Sequence, residues 1–423
     1  MAGAKPDLPC SPAAIHPQTH TVAWAAGRFL FALNLERGEW EVKRDDSCEQ
    51  PIRSLEFGSS SWLVGDDAKC VSMRRAGNWE TVGKWRLRKK VTSALFAGEQ
   101  TFLVADKFGE VRQFETKQTQ AESGETGEGG GGDAEEKEGG GEEEDEEEGE
   151  GEGKIVIGHL ASIITAMIFS SDRRFVITGD KDEKIRVSAW PQCFDIQTFC
   201  LGHSEFVTSL LQPEGLPQIL VSAAADKTVR LWNLETGICL QTVKLEHIPF
   251  KLLWIPSEGG GQEGHVICLC EGLSGFVLMA FTQDGGQPAA ASAAGETGAQ
   301  LGTPKEFKLP LQPLSVVAFK KSPRGLKGLK AFNEADQRDA SVLSDEPVWV
   351  CLFVDTDGRL SLPVCPLTGE KILEGEGEWM GSDIGESIPL APVSFWRWRG
   401  LEGGEGAGGE DDRHKRKKMK PRQ

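Results

Sequence analysis

The chain has 423 residues, 39% of them hydrophobic, and a formal net charge of −18. That composition provides enough apolar material for a sizeable core. The charge is local, because Ala121 to Gly153 contain sixteen acidic residues and one lysine, and the rest of the chain is close to neutral.

Several classes of protein are disfavoured at once. No run of about 18 apolar residues exists, so we expect no membrane-spanning helix. The first residues lack the apolar stretch of a signal peptide. The ten cysteines are scattered with no CxxC pair, which is typical of buried thiols in a reducing compartment. We therefore expect a soluble intracellular protein.

Short β-rich runs separated by polar turns follow one another along the chain. The first candidate is Thr21 to Leu33, and Trp62 to Val71 is an eroded copy of the later pattern. Thr101 to Arg112 aligns with Val176 to Arg186, offset by the acidic segment. Such runs predict the antiparallel meander of a propeller blade.

The two clearest copies of this pattern are 44 residues apart. Gly158-His159 returns as Gly202-His203, and the second copy closes on Arg230-Leu231-Trp232. A period in the forties that opens on Gly-His and closes near Trp-Asp is typical of a WD repeat. The sequence therefore predicts an all-β WD-repeat β-propeller of about seven blades.

Further runs complete the predicted organisation. Strands are expected in five downstream segments: Val266–Cys270, Gly275–Phe281, Ser315–Phe319, Val348–Val354 and Arg359–Leu362. The predicted divisions are an N-terminal segment (1–19), the propeller (20–365), a C-terminal extension (366–400) and a disordered Gly-rich and basic tail (401–423). Within the propeller we expect a disordered acidic insert at 119–153, a low-complexity loop at 284–303 and a long polar loop at 320–346.

His, Ser or Thr, and Asp recur at the period of the fold. A buried His–Asp pair is stabilising because each group satisfies the other. We expect His159 and Thr178 to join Asp182 in one blade, and His203, Ser222, Asp226 and Trp232 to form a fuller network in the next. The second group also resembles a hydrolytic triad, so an enzyme that depends on Ser222 stays an alternative. No histidine cluster has metal-ligand spacing, and no metal site is expected.

A charged block replaces the expected Trp-Asp in the first copy. It reads Asp182-Glu183-Lys184-Ile185-Arg186. If Ile185 is buried, alternation along a strand turns Lys184 and Arg186 to the other face, as a solvated edge or a docking surface.

Three charged segments are candidates for contact with other macromolecules. The acidic insert is either a solvated loop or a site for basic partners. The basic tail is typical of a nuclear localisation signal or a nucleic-acid arm, carried by Lys415, Arg416, Lys417, Lys418 and Lys420. The polar loop offers phosphate contacts at most, through Lys320, Lys321, Arg324, Lys327 and Lys330.

The charged block and its neighbours resemble a known family. The stretch from Asp180 to Ser188, then Pro191-Gln192-Cys193-Phe194, then Phe199 to Val207, is similar to the WD-repeat non-catalytic subunit of tRNA (guanine-N7-)-methyltransferase. Phe102 to Val111 resembles the same family. The match covers about Phe102 to Trp232 without the acidic insert.

The resemblance implies a function without chemistry of its own. The propeller would bind a separate catalytic subunit as a heterodimer, and that partner would hold S-adenosylmethionine and methylate a guanosine of the tRNA variable loop. The docking surface would include Asp182, Glu183, Lys184 and Arg186, with Glu183 holding Arg186 or meeting a partner lysine. This chain would need no cofactor and would reach tRNA through the complex, in the nucleus.

The alternative function is that of a nuclear WD-repeat scaffold or chromatin adaptor. The acidic insert and the basic tail suit such a role.

Overall fold

The computed structural model describes residues 12–16, 21–34, 42–45, 47–116, 153–257, 263–283, 298–309, 312–321, 348–355, 360–363 and 381–383. Within these ranges the regular structure is β-strand throughout, arranged in seven sheets. The predicted all-β propeller is confirmed.

Each sheet is one contiguous stretch of chain, and we number the sheets as blades 1 to 7 in chain order. Blade 1 comprises β1 (Ala13–Ile15), β2 (Thr21–Ala26), β3 (Phe29–Asn34) and β4 (Val42–Asp45), and blade 2 comprises β5 (Ile52–Phe57), β6 (Ser61–Asp66), β7 (Cys70–Arg75) and β8 (Thr81–Arg86). Blade 3 comprises β9 (Val91–Phe96), β10 (Thr101–Asp106), β11 (Glu110–Glu115) and β12 (Lys154–Gly158), and blade 4 comprises β13 (Ile164–Phe169), β14 (Phe175–Asp180), β15 (Ile185–Ala189) and β16 (Ile196–Cys200). Blade 5 comprises β17 (Val207–Leu211), β18 (Ile219–Ala224), β19 (Thr228–Asn233) and β20 (Cys239–Lys244). Blade 6 has five strands, β21 (Pro249–Pro256), β22 (Gly264–Cys270), β23 (Gly275–Gln283), β24 (Ala299–Leu301) and β25 (Lys305–Lys308). Blade 7 comprises β26 (Pro313–Lys321), β27 (Val348–Asp355), β28 (Leu360–Pro363) and β29 (Gly381–Asp383).

The first strands of the blades form the inner ring. Each packs against the first strand of the next blade, from β1 through β5, β9, β13, β17 and β21 to β26, and β26 packs against β1. Blade 7 thus closes on blade 1 by packing. Among the described strands, none is shared between the two ends of the chain.

The core lies between neighbouring blades. Second strands such as β14 and β18 are buried at every residue, because a blade covers each of their faces. Strands covered on both faces read as continuous apolar runs, which explains the runs in the sequence. Outer strands such as β8 and β16 are largely exposed.

The predicted boundaries differ from the structure at four places. β1 belongs to blade 1 and β29 to blade 7, so the propeller extends beyond residues 20–365 at both ends. β24 lies inside the expected low-complexity loop, and β26 runs two residues into the expected polar loop. Strands of three residues carry too little periodic signal to be recognised. The acidic insert up to residue 152 and the whole predicted tail (401–423) lie outside the described residues.

Candidate partner-binding surface

Aspartates fix the turns between the second and third strands of blades 2 to 4. Asp66, Asp106 and Asp180 each end a second strand. Oδ1 of each accepts a hydrogen bond from the backbone N–H four residues later, at 3.1, 3.1 and 2.9 Å. Burial raises the pKa of Asp66 and Asp106, although these backbone bonds oppose the rise. These hydrogen bonds therefore hold the backbone of each turn in place on one face of the ring.

Blade 5 contains the fullest polar network. His203 Nδ1 lies 2.9 Å from Asp226 Oδ2, and its Nε2 lies 2.7 Å from Ser222 Oγ. A carboxylate can only accept, so Nδ1 donates and Nε2 accepts from the serine hydroxyl. Trp232 Nε1 donates to the same Ser222 oxygen at 2.8 Å. Burial alone would raise the pKa of Asp226, but hydrogen bonds from His203 and Thr228 lower it to about 2.

This arrangement argues against the hydrolytic alternative. Ser222 is fully buried, and its oxygen already accepts the Trp232 N–H. A nucleophile must meet its substrate at a distance of ~3 Å. The network of His203, Ser222, Asp226 and Trp232 therefore supports the fold.

The corresponding network of blade 4 uses a different aspartate from the predicted one. His159 Nδ1 lies 2.9 Å from Asp180 Oδ2, and Nε2 lies 2.8 Å from Thr178 Oγ1. The expectation that Asp182 would fill this role is wrong, because its side chain is 53% exposed in the turn. Asp226 follows the end of β18, whereas Asp180 is the last residue of β14. The repeat copy in blade 3 could have identified the right residue, because Asp106 at the end of β10 aligns with Asp180 at the end of β14.

The predicted docking residues Asp182, Glu183 and Lys184 form the exposed turn between β14 and β15. Lys184 Nζ lies 3.9 Å from Asp182 Oδ2, and Glu183 has a φ of 70°. The backbone N–H of Asp182 donates to Ser162 Oγ at 3.3 Å, and that of Lys184 donates to Asp180. The turn therefore presents charges of both signs on a fixed backbone.

Arg186 is directed back into the propeller. Its Nε donates to Ser188 Oγ at 2.9 Å, Nη1 to the carbonyl of Gly158 at 3.1 Å and Nη2 to the carbonyl of Cys193 at 3.0 Å. Burial lowers its pKa. The expected contact with Glu183 is replaced by these bonds. The one to Gly158 joins blade 4 to the outer strand of blade 3, and the other two lie within blade 4.

Two exposed leucines flank the charged turn, and the sequence reasoning missed both. Leu160 is 96% exposed and follows His159, the partner of Asp180. Leu201 is 61% exposed and follows Cys200, which pairs with Ile185 at the start of β15. We name Leu160, Asp182, Glu183, Lys184 and Leu201 the blade 4 surface. Isolated apolar residues at loop ends carry no periodic signal, so only the fold brings them together.

The other predicted contacts are less defined. Lys320 and Lys321 end β26, whereas Arg324, Lys327 and Lys330 lie outside the described residues. So do Lys415, Arg416, Lys417, Lys418 and Lys420 of the basic tail. The described residues contain no group of three or more His, Cys, Asp or Glu side chains arranged to hold a metal ion. In the same residues, no helix is long and apolar enough to cross a membrane.

The ring of blades and its His–Ser–Asp–Trp network define a WD-repeat β-propeller protein. Residues 131–320 match the model of the family described as tRNA methyltransferase TRM82 WD40 domain. The resemblance seen in the sequence is thereby confirmed, and curated relatives are named as non-catalytic subunits of tRNA (guanine-N(7)-)-methyltransferase.

Two of these relatives are from vertebrates. The chain is 30% identical over 263 residues to the tRNA (guanine-N(7)-)-methyltransferase non-catalytic subunit wdr4 of Danio rerio, over 60% of this chain and 55% of that protein. It is 31% identical over 240 residues to WDR4 of Mus musculus, over 53% of this chain and 50% of that protein. The chain thus spans about half the length of these relatives.

A solved structure shows the same fold. A chain in the crystal structure of the mitotic checkpoint complex aligns with a TM-score of 0.55, covering 84% of this chain and 88% of that chain. At 13% identity this similarity concerns the fold alone.

Proposed function

We propose that this chain is the non-catalytic subunit of a tRNA (guanine-N7-)-methyltransferase and forms a heterodimer with a separate catalytic subunit. The observation that carries the proposal is the family match over residues 131–320, which includes the whole of blades 4 and 5 and hence the charged turn. The relatives named as non-catalytic subunits support the same role.

The blade 4 surface has the chemistry that a docking site needs. The carboxylates of Asp182 and Glu183 and the ammonium of Lys184 would meet complementary charges, which steer association and fix the register of a complex. Leu160 and Leu201 would add the apolar contacts of an interface core. Burying one such leucine side chain fully is worth ~1.5–3 kcal/mol.

Arg186 would act behind this surface rather than in it. Its hydrogen bond to Gly158 holds β15 against blade 3, and those to Ser188 and Cys193 hold the side chain within blade 4, beside the turn that precedes the strand. The chain would position its partner and leave chemistry to it. S-adenosylmethionine would bind the catalytic subunit, which would methylate a variable-loop guanosine in tRNA.

The test is co-expression with the candidate catalytic subunit, followed by an assay for N7-methylguanosine in tRNA. We expect activity that depends on both chains. Lys184→Glu should weaken the heterodimer by about thirtyfold or more, since losing one charge of a docked, desolvated pair costs ~2–5 kcal/mol. The matched control is Lys305→Glu on β25 of blade 6. A catalytic subunit that is fully active alone, or a Lys184 variant indistinguishable from the control, would contradict the proposal.

The basic tail at 413–423 supports a proposal of nuclear localisation. Together with the acidic segment at 121–153, it also suits the alternative scaffold role. Deleting residues 121–153 separates the two functions. A methyltransferase subunit should retain tRNA methylation, whereas a scaffold for basic partners should lose binding to them. Removing the basic tail should move a fluorescent fusion out of the nucleus, and unchanged nuclear fluorescence would contradict the import signal.

A further inference from the structure

A cluster of basic side chains surrounds an exposed phenylalanine on blades 2 and 3. It comprises Lys69 in the β6–β7 turn, Lys89 in the β8–β9 connection, and Lys107 and Phe108 in the β10–β11 turn. We name these four residues the basic surface. Neither the 44-residue period nor the charge runs of the sequence revealed it, because its members come from three separate loops.

Backbone hydrogen bonds hold the three loops together. The N–H of Leu87 donates to the carbonyl of Lys69 at 2.7 Å, and that of Lys107 donates to the carbonyl of Lys90 at 3.0 Å. Lys89 Nζ lies 4.0 Å from the centre of the Phe108 ring, and Lys107 Nζ lies 5.8 Å from it. Two cations therefore flank one aromatic ring.

The acidic residues nearby are engaged elsewhere. Asp67 is paired with Arg53 at 2.6 Å and with Lys90 at 3.6 Å. Asp66 and Asp106 are buried beneath their own turns. Within the described residues, no ion pair joins Lys69, Lys89 or Lys107 to an acidic side chain. The basic surface thus keeps a positive potential that an anionic partner could neutralise.

The backbone of Phe108 is held in place although its side chain is exposed. Phe108 is 52% exposed, and its backbone N–H donates to Asp106 Oδ1 at 2.8 Å. Gly109 has a φ of 88° and packs against the carbonyl of Ser162, so a side chain there would clash. An exposed aromatic ring beside lysines suits stacking of a nucleic-acid base, while the lysines can contact the phosphates of the same strand.

The basic surface adjoins the blade 4 surface. His159 donates its backbone N–H to the carbonyl of Gly109 at 2.8 Å, and Ser162 Oγ accepts from Asp182 at 3.3 Å. A ligand held by the docked partner would therefore be adjacent to Phe108.

We propose that the basic surface binds tRNA, with its cations on the phosphate backbone and an unpaired base on the Phe108 ring. The proposal rests on the proposed function, since tRNA is the substrate of the docked enzyme. An acidic protein would also meet the cations, but the exposed ring beside them favours a ligand with both phosphates and aromatic faces.

The experiment measures tRNA affinity of the heterodimer by fluorescence anisotropy at several salt concentrations. The double variant Lys89→Gln/Lys107→Gln should raise Kd by about tenfold and reduce the slope of log K against log salt by about 2, one for each lost phosphate contact. The matched control is Lys305→Gln/Lys308→Gln, which removes two exposed lysines from β25.

Phe108→Ala supplies an independent measurement. It should raise Kd by about fivefold or more and leave the salt slope unchanged, because it removes stacking and no charge. Phe108→Trp should retain affinity. The proposal would be overturned if the lysine variant and Phe108→Ala both kept the wild-type Kd and salt slope, which is the result expected if the ligand of this surface is an acidic protein. Losses of tRNA affinity no larger than those of the Lys305→Gln/Lys308→Gln control would also overturn it.

Failure of the proposed function is detected separately. Sedimentation velocity of the wild-type and variant mixtures reports whether the heterodimer forms. If the wild-type chain forms none, the proposed function fails, and the same titrations on this chain alone decide whether the basic surface binds tRNA.

Discussion

Replacing Arg186 should destabilise the propeller before it affects any partner. Arg186→Leu removes three hydrogen bonds and leaves the carbonyl of the buried Cys193 without this donor. Bonds from a charged donor are worth ~1.5–3 kcal/mol each, and the one to the exposed Gly158 is worth less. Since the leucine recovers some apolar packing, we expect a net loss of about 2–4 kcal/mol in the free energy of unfolding. Lys184→Glu, in the exposed turn, should change it by less than ~0.5 kcal/mol.

The assay is urea unfolding of this chain alone, followed by tryptophan fluorescence. Lys184→Glu should keep the wild-type midpoint while it weakens the heterodimer, and Arg186→Leu should lower the midpoint. Arg186→Lys, which keeps a charge but loses the planar fork of donors, should fall between them. A wild-type midpoint for Arg186→Leu, with loss of the heterodimer, would refute this reasoning and place Arg186 in the interface.

Two further predictions concern the aspartates. Asp180→Asn should cost about 1–3 kcal/mol of stability, because it disturbs the buried contact with His159, whereas Asp182→Asn in the exposed turn should cost less than ~0.5 kcal/mol; equal thermal midpoints would show that the assignment is wrong. The carboxylate of Asp226 has a pKa of about 2, below its ordinary value of 3.8, so it stabilises the folded state above about pH 4. That contribution, at most about 2 kcal/mol, should be lost as the pH falls through about 2. Acid titration of stability should show a smaller slope for Asp226→Asn, and an identical slope would contradict the argument.

The fold could be predicted because its signals repeat. Gly-His pairs, aspartate turns and apolar second strands recur at one period, so one clear copy identifies weaker ones. The network of His203, Ser222, Asp226 and Trp232 follows from the same period. The three-residue strands β1, β24 and β29 could not be predicted, since they carry no pattern and form only against a neighbouring strand.

The candidate site was less predictable because side-chain direction depends on the surroundings. Alignment of the two repeat copies paired Asp182 with His159. In the structure it is Asp180, at the end of β14, whose carboxylate lies within hydrogen-bonding distance of His159. Alternation placed Arg186 on the surface, but nearby carbonyls of Gly158 and Cys193 draw its guanidinium inward. In the sequence nothing distinguishes Phe108 from other turn residues. The fold brings Lys89, from another loop, close to its ring beside Lys107.

The closure of the ring by packing has a consequence for the order of folding. Because every blade is a contiguous stretch of chain, the pairing of the four strands of blade 1 requires nothing beyond Asp45. Blades can therefore form one after another as the chain leaves the ribosome, and each new blade can pack against the blade before it. The contact of β1 with β26 must wait until blade 7 has been synthesised. Hydrogen exchange should accordingly find its weakest protection at this seam, where the ring is closed by the packing of β1 against β26.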